Sequence, residues 1–506
     1  DGKWLILSRD RKGEENPGLY VQPEEGGPLV EVQHVAGVQT LFQKVSDDGK
    51  YLYFASNDRK KDGYTLYRWG LADRRREVVF EQDGLWSLAD IRDNGRMLLR
   101  KATGSLTAEI FEWDPDKKAL TPVIGQGETE EYDVAYGRGG AVLVLTPKGG
   151  DVRRLFRLEQ GKLVGVSPER KFDVIGFDVD RARTRITYQT NEGGYTRPFA
   201  IDAGSYKELA LPKLPASDHA IIVATTPDGR YSTVGLDDGK HPQQSFLIDW
   251  RGNKAEAWQT PSTPEIDTTR FARASVESYP ARDGTAIPVL VRRPAACAAE
   301  PCPVVVHFHG GPEGQSRPGF NVSAQAFVDA GFVFVEPNVR GSDGYGKAWL
   351  AADDGVKRQA ILTDIEDAST WARQHFAAGG KAPKLGIYGG SYGGYSSLIG
   401  MTLFAGAYDA GVDIVGISNL VTFLQNTAPY RRILRVSEYG DPERDRDALL
   451  KMSPITYVDR VKGPMLILQG ATDPRVPAGE AVQIHEALTR RNVPSSLMIF
   501  PDEGHG

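Results

Sequence analysis

The stretch 384-KLGIYGGSYGGYSSLIGM-401 decides the fold. It opens as a short apolar strand, ends in a helix of small and apolar residues from Tyr395 to Met401, and holds Gly389-Gly390-Ser391-Tyr392-Gly393 between them. A G-x-S-x-G is a weak signal by itself in a chain with 56 glycines. Set between a strand and a helix it is a nucleophile elbow, in which the flanking glycines permit a sharp, strained turn. Such a turn lifts the serine hydroxyl clear of the sheet and aims the helix N-terminus at developing negative charge. A phosphate-binding loop would need Gly-Lys-Ser/Thr to follow, and none does.

A serine hydroxyl becomes nucleophilic when a histidine removes its proton, and that histidine needs a carboxylate to fix its tautomer. Chain order in this fold class is Ser, then Asp or Glu, then His. Only His485 and His505 lie beyond Ser391. His485 falls inside a helical pattern, whereas His505 closes 501-PDEGH-505, a loop at the end of the strand 497–500, where a triad histidine belongs. Asp473 follows the strand 464-PMLILQG-470, while Asp441, Asp445, Asp447 and Asp459 lie in charged stretches and Asp502 has no strand end of its own. The candidate triad is therefore Ser391, Asp473 and His505. Oxyanion donors are expected from the amide of Tyr392 and from Gly310 and Gly311 in 309-HGGP-312, each such donor lowering the barrier by about 3 kcal/mol. His307 and His309 alternate as a metal-binding pair could, but no third ligand stands in a matching context, so neither metal nor cofactor is expected.

Upstream of these motifs the chain repeats itself. Turns at Asp1-Gly2-Lys3, Asp48-Gly49-Lys50, Asn94-Gly95-Arg96 and Asp228-Gly229-Arg230 each lead into an apolar strand, with degenerate copies at Arg138-Gly139-Gly140 and Asp180-Arg181-Ala182-Arg183. The glycines at 2, 49, 95 and 139 are spaced by 47, 46 and 44 residues, and a further 90 leads to Gly229. An alternating strand and then an aromatic-rich one, such as 64-YTLYRW-69, follow the turns. Gly/Asp turns between alternating strands are hairpin chemistry, and self-similarity at this period marks the blades of a β-propeller. From Trp258 to Arg270 the pattern dissolves into a polar, proline-bearing linker. Beyond it short strands at 304–308, 332–335, 385–388, 414–417, 465–468 and 497–500 alternate with helical stretches such as 360–376, which predicts a mostly parallel, doubly wound sheet. The expected architecture is a β-propeller over residues 1–264 followed by an α/β-hydrolase domain over 265–506. The first repeat opens at Asp1 and the chain stops one residue after His505, so both ends are expected to be incomplete, and a signal peptide could have preceded them.

A formal charge of -6 gives no electrostatic reason to expect nucleic acid as a partner. No apolar run approaches the eighteen or so residues that span a bilayer. Two cysteines, Cys297 and Cys302, exclude a disulfide-built scaffold; a local disulfide between them and two free thiols are equally compatible with the spacing.

Taken together, 309-HGGP-312, 337-PNVRGSDGYG-346, 389-GGSYGGY-395, 473-DPRVP-477 and 502-DEGH-505 resemble the prolyl oligopeptidase family of serine peptidases, as do Ser-to-Asp and Asp-to-His spacings of 82 and 32. The resemblance covers essentially the whole chain. It implies cleavage of short peptides, with the propeller keeping folded proteins out. It also places Arg475 where the family uses an arginine to hold a substrate carbonyl, a task suited to a guanidinium; pairing with a surface carboxylate is the alternative. The His-Gly-Gly-Pro segment favours the acylaminoacyl-peptidase-like branch, with backbone oxyanion donors. Dipeptidyl peptidases anchor the substrate amine on a glutamate pair in the propeller, for which Glu24-Glu25 and Glu130-Glu131 are the pairs present. Tyr392 and Phe423 could line a specificity pocket, although core packing accounts for Phe423 equally well.

The leading functional expectation is thus a peptidase acting on short peptides through an acyl-enzyme on Ser391. A carboxylesterase with the same triad, dipeptidyl aminopeptidase specificity, and a propeller scaffold carrying an inactive hydrolase are the rivals. A homo-oligomer is compatible with the sequence.

Overall fold

The computed structural model describes residues 2–262, 264–296 and 301–506. Through Gln259 the described chain is β apart from one 3-10 turn at Arg138–Gly140, wound into six successive antiparallel meanders. The second, Thr40–Val45, Tyr51–Ser56, Thr65–Gly70 and Arg76–Phe80, is a complete four-stranded unit. Its first two strands are joined by the repeated turn, where Gly49 takes φ 70 and its amide bonds the Ser46 carbonyl, a conformation that favours glycine. The repeat thus sits at the same place in meander after meander. Neighbouring sheets bury their faces against each other: Tyr53, Leu66 and Phe80 meet Trp86, Leu88 and Met97 of the next sheet in one shared core. This is the blade-on-blade packing of a propeller.

The second half is built on an eight-stranded sheet. Its strands are β1 (Ser275–Pro280), β2 (Ala286–Arg292), β3 (Val304–Phe308), β4 (Val333–Pro337), β5 (Leu385–Gly390), β6 (Ala410–Ile414), β7 (Met465–Gly470) and β8 (Ser495–Phe500). Their spatial order is β1-β2-β4-β3-β5-β6-β7-β8. β1 pairs antiparallel with β2 and β2 antiparallel with β4, and all later pairings are parallel. The apolar run of β3 fits a strand covered on both faces. Helices α1 (Thr363–His375), α2 (Tyr392–Met401), α3 (Pro429–Tyr439) and α4 (Gly479–Thr489) belong to this half. Every residue of α2 is buried, as its small, apolar sequence requires.

One strand departs from expectation. The sequence pattern puts it at 414–417, whereas β6 runs from Ala410 to Ile414. Val415 adopts φ 46, which no strand accommodates, and the chain turns there to pass beneath α2. Cys302 is disulfide-bonded; Cys297, the other cysteine in the chain, lies outside the described residues. No helix among the described residues is long and apolar enough to cross a membrane.

The two halves meet along a polar seam. Arg153 reaches Asp343 at 2.6 Å and Lys347 reaches Glu130 at 3.0 Å. Arg317 donates to the Gly194 carbonyl and to Thr196. These bonds hold the mouth of the propeller against the ends of the parallel strands, where open α/β sheets carry their sites.

Candidate active site

Ser391 stands between β5 and α2 with φ 58 and ψ −116, a conformation that is strained for any residue bearing a Cβ. Its amide is tied to the Ile414 carbonyl at 2.9 Å, and its carbonyl accepts from Tyr395 at 2.9 Å. The turn closes because its flanking glycines leave no side chain in the way. A Cβ on Gly393 would come within 1.9 Å of the Phe308 carbonyl oxygen. The elbow inferred from the motif is therefore present, with its strain located at the serine.

Asp473 and His505 come together as the sequence order demands. His505 Nδ1 lies 2.7 Å from Asp473 Oδ2, and both side chains are largely buried. The other carboxylate oxygen accepts from the amides of Arg475 and Val476 at 2.8 and 3.0 Å, so the loop after β7 holds the acid rigidly. A carboxylate accepts only, so Nδ1 carries the proton and leaves the Nε2 lone pair free to act as a base. Among the described residues, neither Ser391 Oγ nor His505 Nε2 is hydrogen-bonded. His485 points elsewhere, its Nδ1 on Ser495. The competing acids are otherwise engaged: Asp459 with Arg491, Asp502 with Lys12, and Asp445 with Arg444.

The amides of Gly310, Gly311 and Tyr392 donate no hydrogen bond among the described residues, leaving them available to an oxyanion. Gly310 lies against Ser391, since a Cβ built on it would sit 3.5 Å from the serine Cβ. His309 fixes the loop. Its Nδ1 lies 2.9 Å from the Gly310 carbonyl and its Nε2 lies 2.8 Å from Ser342 Oγ. The carbonyl can only accept, so Nδ1–H donates to it, while the single Ser342 hydroxyl proton lies between His309 Nε2 and the Val339 carbonyl, 2.6 Å from Oγ. Burial lowers this imidazole to about 4 and keeps it neutral. Because one trans peptide joins the Gly310 C=O to the Gly311 N–H, the clamp also sets the direction of the Gly311 donor.

Arg475 meets a carboxylate, but one from the far end of the chain: its Nε donates to Glu15 Oε1 at 2.6 Å. The hairpin bearing Glu15 lies on the loops that carry Asp473 and His505. Thr472 Oγ1 donates to the Lys12 carbonyl at 2.5 Å, and the Gly13 and Gly504 backbones touch so closely that a Cβ on Gly13 would meet the Gly504 nitrogen at 2.1 Å. Tyr392 and Phe423 are both buried with Tyr439, and Arg358 lies over the Tyr392 and Tyr439 rings.

Beneath the elbow lies Asp413, fully buried on β6 and pressed against Gly394 and Gly416. Among the described residues neither carboxylate oxygen has a hydrogen-bond partner of ordinary geometry. Burial pushes this carboxyl up to about 7, the Gly416 amide opposing and Glu480 adding to the rise. The sequence carried a signal for it, an acid inside the apolar run 411-GVDIVGI-417. Nothing near Glu15 in the sequence could have revealed its partner.

The sequence model described as the Prolyl oligopeptidase family matches residues 318–506. Dipeptidyl aminopeptidase BIII of Pseudoxanthomonas mexicana is 39 % identical over 99 % of this chain and 75 % of that protein. The acylamino-acid-releasing enzyme of Mus musculus is 27 % identical over 40 % of this chain and 28 % of its own length. Among solved structures, a prolyl endopeptidase superposes over all of this chain and 77 % of its own with a TM-score of 0.87 at 20 % identity. A puromycin-hydrolyzing peptidase of Mycobacterium tuberculosis does so over 83 % of its chain at 0.83 and 19 %. At such identities the structural matches speak for the fold.

Proposed function

This chain belongs to the prolyl oligopeptidase family and is a serine peptidase, and on that premise we propose that Ser391, Asp473 and His505 form its catalytic triad and hydrolyse short peptides through an acyl-enzyme. The observation that carries the assignment is the Asp473–His505 hydrogen bond, in a chain whose elbow serine is held at positive φ. His505 Nε2 takes the Ser391 proton as Oγ attacks the scissile carbonyl, and Asp473 stabilises the imidazolium that forms. The oxyanion is received by the amides of Tyr392 and Gly311, with Gly310 lining the same loop. His505 then protonates the leaving amine, and a water repeats the sequence on the acyl-enzyme. Arg475, steered by Glu15, holds a substrate carbonyl. Residues 1–264 form the propeller that restricts access, and residues 265–506 form the catalytic domain.

A second reading, dipeptidyl aminopeptidase specificity, is favoured by the relative of that name at 39 % identity. Of the two glutamate pairs, Glu130 and Glu131 face a cavity at the seam between the halves, whereas Glu24 and Glu25 are exposed on the first sheet.

A fluorophosphonate probe applied to the wild type and to Ser391→Ala tests the triad: labelling that survives the substitution would sink it. A chromogenic panel of matched amides and esters, with free and acetylated N-termini, then separates the readings. Ester turnover without peptide turnover would make the enzyme an esterase, and cleavage two residues from a free N-terminus alone would establish dipeptidyl specificity.

A further inference from the structure

Helix α3 connects the two loops between which a peptide must lie. At its start the Ala428 amide donates to the Pro474 carbonyl at 3.1 Å, on the loop that bears Asp473. Two turns on, Arg435 Nη1 lies 3.5 Å from the Gly311 carbonyl, on the loop of the expected oxyanion donors. Arg431 and Arg435, four positions apart, share one face of the helix. Arg475, which follows Pro474, adds a third guanidinium.

Among the described residues one carboxylate answers these three cations. Glu15 pairs with Arg475, whereas Arg431 and Arg435 have no ion pair. The propeller wall opposite adds no second acid: Tyr64 Oη donates to Gln39 Oε1, and Gln39 Nε2 donates to the Glu15 carbonyl at 2.8 Å. This surplus of positive charge stands in a chain whose formal net charge is -6, so it is a local feature.

A guanidinium that leaves water needs an acceptor. The two most buried arginines meet that need, Arg292 on Glu336 and Arg358 on Asp353 and Glu438. Arg431 does not. Its Nε is buried with no hydrogen-bond partner, and burial, with Arg435 and Arg475 adding to it, lowers the guanidinium to about 10. The hydroxyl of Tyr430, in the same turn, is likewise buried and without a partner. The N-terminus of α3 has no side-chain cap and contributes the same sign of charge. Donors are present here in excess, and what is missing is an anion.

We propose, resting on the peptidase reading above, that Arg431 and Arg435 form a subsite for the carboxylate of an aspartate or glutamate side chain near the scissile bond, so that the enzyme prefers acidic peptides. A carboxylate accepts two parallel bonds from one guanidinium, which a neutral amide side chain cannot do. The place of the two arginines between the Asp473 loop and the Gly310–Gly311 loop puts that side chain within a few residues of the bond to be cut.

The test uses the full chain and peptides that differ only in glutamate against glutamine, or aspartate against asparagine. The substitution is moved across the scissile bond, and each peptide is made with a free and an amidated C-terminus. At one position or more the acidic peptide should show kcat/KM on the order of tenfold above its neutral partner, amidated or not. Potassium chloride at about 0.5 M should shrink that ratio. Arg431→Met and Arg435→Met, which keep an unbranched stem and drop the charge, should each bring it to within about twofold. Ratios near one at every position would overturn the proposal, and the wild type alone suffices for that comparison. A ratio that both variants leave intact would also overturn it, as would a preference that disappears on amidation, which would give the arginines to the substrate C-terminus. If no peptide is cleaved, acidic or neutral, while the probe still labels Ser391, the peptidase reading itself has failed, and this inference with it.

Discussion

Arg475 and Glu15 form an ion pair across 460 positions of the chain, Nε to Oε1 at 2.6 Å. The Nη groups of Arg475 have no hydrogen-bond partner among the described residues, so the guanidinium is oriented by one nitrogen and offers the others to the site. The propeller thus sets the geometry of a residue two positions from Asp473, the acid of the proposed triad. At 43 % and 23 % side-chain exposure the pair contributes little to stability, and its effect lies in orientation.

Glu15→Ala and Arg475→Ala should each raise KM for peptides several-fold and leave kcat nearly unchanged. The double variant should be no worse than Arg475→Ala alone, because Glu15 acts through the arginine. Steady-state kinetics on one peptide decide it; additive losses would mean that Glu15 has a role of its own.

Asp473→Asn should leave the fold intact and lower kcat by roughly 10³–10⁴, as expected when the histidine is held in the wrong tautomer. Thermal unfolding of the variant alongside its single-turnover rate separates this from a folding defect. A loss below tenfold would remove Asp473 from the triad.

His309→Leu keeps much of the ring's bulk but cannot hold the Gly310 carbonyl. It should lower kcat by about 10²-fold with little change in KM, since the Gly311 donor is needed in the transition state and not in the ground state. The imidazole is held to about 4 by burial, so the wild-type pH–rate profile should contain no step from His309 between pH 5 and 9. A rate equal to wild type would show that the peptide needs no clamp.

Asp413 supplies a pH-dependent stability difference of predictable sign. Its carboxyl rises from 3.8 to about 7 on folding, so the folded state favours the protonated form. The cost is absent below pH 4, grows as pH rises, and is complete above pH 7, where it reaches about 4 kcal/mol. Asp413→Asn escapes it. The stability of the variant relative to wild type should therefore increase between pH 4 and pH 8 in denaturant titrations, and a gap that stays flat with pH would contradict the assignment.

The repeat spacing predicted the propeller because each hairpin turn needs residues that tolerate positive φ, and those recur at a fixed period. The elbow, the acid loop and the histidine loop were legible because each is a short local motif at a strand end. Contacts that couple distant segments left no such mark. Glu15 lies in an ordinary charged loop, and Arg358, wholly buried among two acids and two tyrosines, reads in the sequence as a surface residue of the charged run around it. The end of β6 was misplaced for a related reason. Its apolar run continues through Ile417, but Val415 leaves the strand to support α2, which is a demand of packing that residue type does not record.

The close approach of Gly13 to Gly504 sets a timetable. A ribosome makes the first of these glycines near the start of this stretch and the second near its end, so the loop bearing His505 finds its support only once nearly the whole stretch has been synthesised. A nascent chain that ends between Ser391 and His505 carries the elbow serine without the base proposed for it. Until His505 has been made and seated, the triad proposed here cannot assemble.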